Sequence, residues 1–222
     1  MRNNHSFEDI AEIHCLLNDI KKEYREGFQP ILKRNSKNLF QNVHIIPKLK
    51  KIEINRGLGL AGQNTSTVKK SIDEFISITG QKPIITKAKK AIAGFKIRDN
   101  MTLGLSVTLR GEKMYAFLTK LIFFTFSQIR DFQGLSVRSF DKAGNYTFGL
   151  KEQLIFPEID YDDIDKIEGF TITIVLDNSL RKTRATTMYR VLNGIILFKF
   201  LRFPLNDAGS VSYTHLTLPT KA

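Results

Sequence analysis

Residues 51–59 read KIEINRGLG, and the alternation at the start of this stretch decides the fold class. Successive side chains of an extended strand point to opposite faces, so Ile52 and Ile54 fall on one side and Lys51, Glu53 and Asn55 on the other. A strand buried on both faces would need a near-continuous apolar run. The pattern therefore predicts a sheet with one face on a core and the other open to water.

Working outward, a helix is predicted from Thr65 or Ser66 to Gly80, burying Val68, Ile72, Phe75 and Ile76. Pro83–Thr86 and Leu103–Arg110 read as strands, separated by a long basic loop over Lys87–Thr102. Glu112–Ser127 supplies Met114, Phe117, Leu118, Leu121 and Ile122 at helical spacing. A hairpin-like excursion is expected around Lys142–Asn145, between Val137–Phe140 and Tyr146–Leu150. TITIVL at Thr171–Leu176 is a further strand, followed by a weaker helix over Thr183–Leu192. Upstream, Ser6 and Asp9 resemble a capping box, and Ile10, Ile13, Leu16, Leu17, Ile20 and Tyr24 repeat as in an amphipathic helix ending near Gly27. Helices interspersed with strands that are wet on one face make an α+β fold, a mostly antiparallel sheet with helices packed on one face. No linker or repeat divides residues 1–205, which read as one domain. Residues 206–222 form a polar tail without periodicity, expected to be disordered or non-native.

The 222 residues are 42% apolar and include 17 Phe, enough to build a core of useful size. Lys and Arg total 34 against 22 Asp and Glu, a formal charge of +12, which points to a polyanionic partner rather than to an ordinary neutral enzyme. The charge is blocky. Lys33–Arg56 carries +6, while Pro157–Phe170 carries −5 and reads as a solvated acidic turn. KPIITKAKKAIAGFKIR, residues 82–98, holds Lys82, Lys87, Lys89, Lys90, Lys96 and Arg98 without a single acid. The one cysteine, Cys15, excludes an internal disulfide, and His5, His14, His44 and His215 are too scattered for a metal cage. The start lacks the apolar segment of a secretory signal, and the most apolar stretch, Phe117–Ile129, is interrupted by Lys120 and too short to span a bilayer. No membrane association is expected.

Gly57, Gly59 and Gly62 satisfy G-x-G-x-x-G after a predicted strand, which raises dinucleotide binding. The supports of that motif are missing: GQNTST separates the glycines from the helix, and no acid that could hold a ribose occurs from Phe75 through Arg98. No nucleophile with a nearby base is recognisable, and the reading is of a non-enzyme without cofactor or metal.

The 82–98 run has what RNA contact needs. Its cations can replace counterions on phosphates, Ala91, Ala93 and Gly94 allow close approach, and Phe95 offers a face for stacking. The alternative is a solvated basic loop that Phe95 anchors to the core. INRGLG at Ile54–Gly59, ITGQKPIITKAKKAIAGFKIRD at Ile78–Asp99, VTLRG at Val107–Gly111, MYAFL at Met114–Leu118 and FPEIDYD at Phe156–Asp162 occur in order. In these strings the chain resembles the bacterial-type ribosomal protein L five family of the large subunit, over roughly residues 43–176 and closer to plastid members.

The resemblance implies a curved antiparallel sheet with helices behind it, and a structural role in the central protuberance of the large subunit. It implies 5S rRNA binding through Asn55, Gln81, Lys82, Thr86, Lys87, Phe95, Thr108 and Arg110. It also implies that a mobile loop carrying Lys89, Lys90, Gly94, Lys96 and Arg98 reaches the P-site tRNA and rRNA. Arg130, Asp131, Arg138 and Asn145 would meet a small-subunit protein at an intersubunit bridge. Large-subunit rRNA and neighbouring large-subunit proteins complete the implied partners, with the plastid stroma as location and the mitochondrial matrix or bacterial cytoplasm as alternatives. Two departures stand out: Ser127-Gln128 replaces the family's usual Pro-Arg pair, and DNSLRKTRATTMYR after Leu176 replaces an acidic, helix-starting stretch.

Overall fold

The structure, a computed structural model, describes residues 47–159, 161, 164, 166–177 and 184–206. The predicted first helix before Gly27, the acids Asp160, Asp162, Asp163 and Asp165, and the tail 207–222 lie outside the described residues.

Five strands form one sheet in the order β2-β3-β1-β6-β5, with every neighbouring pair antiparallel. They are β1 (Lys48–Gly57), β2 (Ile84–Lys87), β3 (Thr102–Leu109), β5 (Tyr146–Leu150) and β6 (Phe170–Asp177). A two-residue strand β4 (Leu135–Ser136) pairs in parallel with β7 (Leu205–Asn206). β1 runs through the middle, so the KIEIN alternation is read by both neighbours: Ile52 faces Leu109 and Ile174, and Ile54 faces Val107 and Ile172. Residues directly opposite share a face. This register puts Leu105, Val107, Leu109, Phe170, Ile172, Ile174, Tyr146 and Phe148 on the same buried side.

Among the described residues, three helices cover that side. α1 (Thr65–Thr79) buries Val68, Ser71, Phe75 and Ile78. Its buried face runs 68, 71, 75, 78, so Ile72 is only half-buried and Ile76, expected inside, is 40% exposed. α1 ends at Gly80, whose left-handed φ of 63° turns the chain toward β2 and lets its N–H reach the Ile76 carbonyl at 2.8 Å.

α2 (Gly111–Lys120) continues through a π-helical turn, Leu121–Thr125, into a last α-helical turn, Phe126–Gln128. The extra residue of a π turn rotates the inward face. Leu121, Thr125 and Phe126 are all buried as a result, a switch that the 3.6-residue pattern did not anticipate. α3 (Arg184–Phe200) runs eight residues past the predicted Leu192 because Leu197 and Phe198 bury completely, Phe198 against Tyr146 and Phe140. The aromatic rings form two clusters: in one, Phe198 meets Phe203 at 4.5 Å and Phe126 meets Phe203 at 6.0 Å, and in the other Phe170 joins Phe75 and Phe156 at 5.3 and 5.7 Å. Each such pair adds about 0.5–1.5 kcal/mol beyond area burial.

The hairpin-like excursion closes by an Asp141 N–H bond to the Asn145 carbonyl at 2.8 Å and an isolated Phe140–Tyr146 bridge. Its first arm is a 3-10 turn, Val137–Ser139, rather than a strand.

Candidate nucleic-acid interface

The face of the sheet away from the helices is lined by short polar side chains. Register alone puts Asn55 opposite Ser106 and Thr171, Glu53 opposite Thr108 and Thr173, and Thr86 opposite Gly104. Thr147 joins Thr173 across β5 and β6 through a 3.2 Å hydroxyl–hydroxyl bond. Asn55, Thr86 and Thr108 thus share one surface of the sheet. Gly104 is what lets β3 sit so close to its neighbours: a Cβ there would lie 2.4 Å from the Arg56 carbonyl oxygen of β1 and 3.2 Å from Thr86 Oγ1 of β2.

Gln81 stands in the turn after α1, half-buried, with its Nε2 donating to the Thr108 carbonyl at 3.3 Å. Its own N–H donates to Thr79 Oγ1 at 3.3 Å. Lys82 and Lys87 bracket β2, both exposed, and Arg110 is exposed where β3 ends. All four residues of β2 are exposed, Ile84 by 71%.

The basic stretch between β2 and β3 is not the irregular loop expected. Ala88 N–H bonds to the Met101 carbonyl at 2.8 Å, and Ile92 and Ile97 exchange N–H to carbonyl bonds at 3.0 and 3.2 Å. These rungs make a finger with a 3-10 turn, Ala93–Phe95, at its tip. Periodicity could not reveal it, because two isolated rungs are too few to set an alternation. Lys96 adopts a left-handed φ of 54° just past the tip. Lys89, Lys90, Gly94 and Arg98 are exposed, and Phe95 projects with 71% of its surface open rather than anchoring to the core. None of Lys82, Lys87, Lys89, Lys90, Lys96 and Arg98 forms an ion pair with another described residue.

Arg130 and Asp131 are exposed on the turn after α2, and Arg138 is exposed just past β4. Asn145, half-buried, accepts the Leu176 N–H at 3.2 Å through Oδ1, so this side chain also has a structural task.

Sequence reasoning missed the one basic residue that is buried among those described. Arg56 follows Ile52 and Ile54 in the inward series and is 1% exposed. Its Nη1 lies 2.5 Å from Glu74 Oε2 and 3.7 Å from Glu168 Oε2, and its Nη2 donates to Gln153 Oε1 at 3.1 Å. The guanidinium stacks over Phe170 at 4.1 Å and Phe75 at 5.3 Å. Parity was the available signal. Glu168 correspondingly departs from the expected solvated acidic turn, being 10% exposed, with its carboxyl pushed above the usual range chiefly by burial and only partly offset by Arg56. Glu158 likewise pairs with Lys120 at 2.5 Å instead of facing water alone.

The suspected dinucleotide glycines have backbone tasks. Gly59 takes a left-handed φ of 54° to open the 3-10 turn Gly59–Gln63, and a Cβ on Gly62 would meet the Thr102 carbonyl oxygen at 2.2 Å. α1 begins only at Thr65, so none of these glycines lies in its first turn, where a dinucleotide motif would place the last of them.

Comparison with known proteins places this architecture. The family described as "Ribosomal protein L5" matches residues 42–98, and the companion description of that ribosomal family's C-terminus matches residues 102–200. "Large ribosomal subunit protein uL5c" of Trieres chinensis is 73% identical over 209 residues, covering 94% of this chain and 88% of that protein. The protein of the same name from Phaeodactylum tricornutum is 70% identical over the same length and shares. "Large ribosomal subunit protein uL5" of the cyanobacterium Synechococcus is 55% identical over 156 residues, 70% of this chain and 86% of that protein. The chain belongs to the ribosomal protein L5 family, in its plastid type: a structural protein of the large ribosomal subunit and not an enzyme.

Proposed function

We propose that this chain binds 5S rRNA in the central protuberance of the plastid large subunit, using the open sheet face and the turn beside it. The carrying observation is the adjacency of two surfaces. A hydroxyl- and amide-bearing platform holds Asn55, Thr86 and Thr108, with Gln81 bonded to its edge. Along that edge run Lys82, Lys87 and Arg110, cations without ion-pair partners among the described residues. Short polar groups on rigid strands suit riboses and base edges, while the lysines suit phosphates.

The finger extends the reading. Lys89, Lys90, Lys96 and Arg98 present flexible or forked charge around a stacking face at Phe95, a combination fitted to a nucleic acid that moves, such as P-site tRNA. Arg130, Asp131, Arg138 and Asn145, on connections flanking β4 and β5, would meet the small-subunit protein of an intersubunit bridge.

Purified protein offered a mixed RNA pool is expected to select 5S rRNA. In a gel-shift titration, Gln81→Ala with Thr108→Ala should weaken that binding by about 1–2 kcal/mol, one or two hydrogen bonds. Equal retention of all RNAs, or unchanged affinity in the double variant, removes the assignment and leaves a general RNA-binding protein.

A further inference from the structure

The turn that offers Gln81 and Lys82 is propped from below by two lysines. Lys113 Nζ donates to the Gly80 carbonyl at 3.0 Å, and Lys120 Nζ donates to the Ile78 carbonyl at 2.8 Å. Both stand on α2, two helical turns apart and therefore on one side of it. Lys120 thus meets one of the last carbonyls of α1, groups that a helix leaves without internal partners and that carry its negative dipole end, and Lys113 meets the carbonyl of Gly80, the residue that ends the helix. Lys120 is further oriented by Glu158 at 2.5 Å, and its side chain is only 14% exposed.

The turn borders a cleft on that side. The cleft has a volume of about 360 Å³ and is lined by Ser77, Ile78, Gly80, Lys113, Phe117 and Lys120. From the other side, the Thr79 hydroxyl donates to the Phe75 carbonyl at 2.6 Å and accepts the Gln81 N–H at 3.3 Å, and the Gln81 side chain then reaches the Thr108 carbonyl.

We infer that Lys113 and Lys120 are positioning residues for RNA binding: they hold the Gly80–Lys82 turn so that Gln81 and Lys82 meet RNA, and they do not themselves contact phosphate. This rests on the RNA-binding reading above, and it predicts a separation that composition would not. A lysine engaged with a carbonyl in the free protein releases no counterion from RNA, so its loss lowers affinity without changing the salt dependence.

The test compares full-length wild type with Lys113→Met/Lys120→Met in 5S rRNA titrations between ~50 and ~200 mM salt, alongside amide hydrogen exchange at Gln81. The expected result is an affinity loss on the order of five- to tenfold, an unchanged slope of log affinity against log salt, and faster exchange of the Gln81 amide. Lys113→Arg, which keeps a donor for Gly80, should recover most of the loss on that side. A slope reduced by about 1.8 with exchange unchanged would mean direct phosphate contact and overturn the inference. Unchanged affinity together with unchanged exchange overturns it as well. If the double variant does not fold, Lys113→Met alone, at an exposed side chain, gives the same readouts. Should wild type fail to bind 5S rRNA, the functional reading falls, while Gln81 exchange still decides whether the lysines hold the turn.

Discussion

Arg56 and Lys89 carry the same charge in the same chain and live under opposite physics. Arg56 is 1% exposed, clasped by Glu74, Glu168 and Gln153 and sandwiched against two aromatic rings. Lys89, on the finger, is exposed and makes no ion pair among the described residues. The buried cation joins β1, α1 and the connection before β6, so its loss is a folding problem. On the proposed function the exposed one meets an external anion, so its loss should be a binding problem. A net charge of +12 counts both alike.

The sharpest way to break this contrast is Arg56→Ala. Removing one partner of a buried pair leaves Glu74 and Glu168 facing each other without a cation, and such losses cost about 3–5 kcal/mol. Denaturant unfolding should show that drop, and a change under about 1 kcal/mol would mean that the cluster is replaceable. Lys89→Ala with Lys90→Ala should do the reverse. Stability is expected to stay within about 0.5 kcal/mol, as for other exposed positions, and 5S rRNA affinity to stay unchanged. Binding that depends on the finger should lose up to about 1.8 from its salt slope if both lysines meet phosphates of duplex RNA. A variant that unfolds early would erase the distinction between the two regions.

The smallest effect concerns Glu168. Burial raises its carboxyl above the ordinary 4.5, so the folded chain binds that proton more tightly than the unfolded chain does. The linked stability is complete below the unfolded value and is lost as pH rises through the raised folded value. Wild type should therefore gain stability relative to Glu168→Gln as pH is lowered from about 7 toward about 4. A pH-independent difference between the two would show that Arg56 balances the burial completely.

Much of the sheet was legible because its determinants are local. KIEIN states which side of β1 is wet, and the same parity carries Asn55 to the open face with Thr108 opposite its neighbour Glu53. The Arg56 cluster was not read, although the same parity points it inward, because its partners lie at Glu74, Gln153 and Glu168 and are brought together only by the tertiary fold. A charged residue type argued for water while its position argued for the core, and position won. The π turn in α2 and the rungs of the finger were hidden for a different reason: each is a one- or two-residue event within a longer pattern. For the candidate interface, the basic blocks along the chain were visible, but nothing local distinguishes lysines pointing outward from Lys113 and Lys120, which hold backbone carbonyls.

β2 is an outer strand, four residues long, with every residue exposed and two isoleucines among them. Its outer backbone edge, which no other described strand pairs, is the kind of template on which a second copy of the chain could grow a sheet. A protein made before its RNA arrives must survive that interval. The brevity of β2, the register shift between Thr86 and Lys87, and a lysine at each side blunt the edge during the wait. The features that would suit the strand to the proposed RNA surface thus also keep newly made copies from sticking to one another.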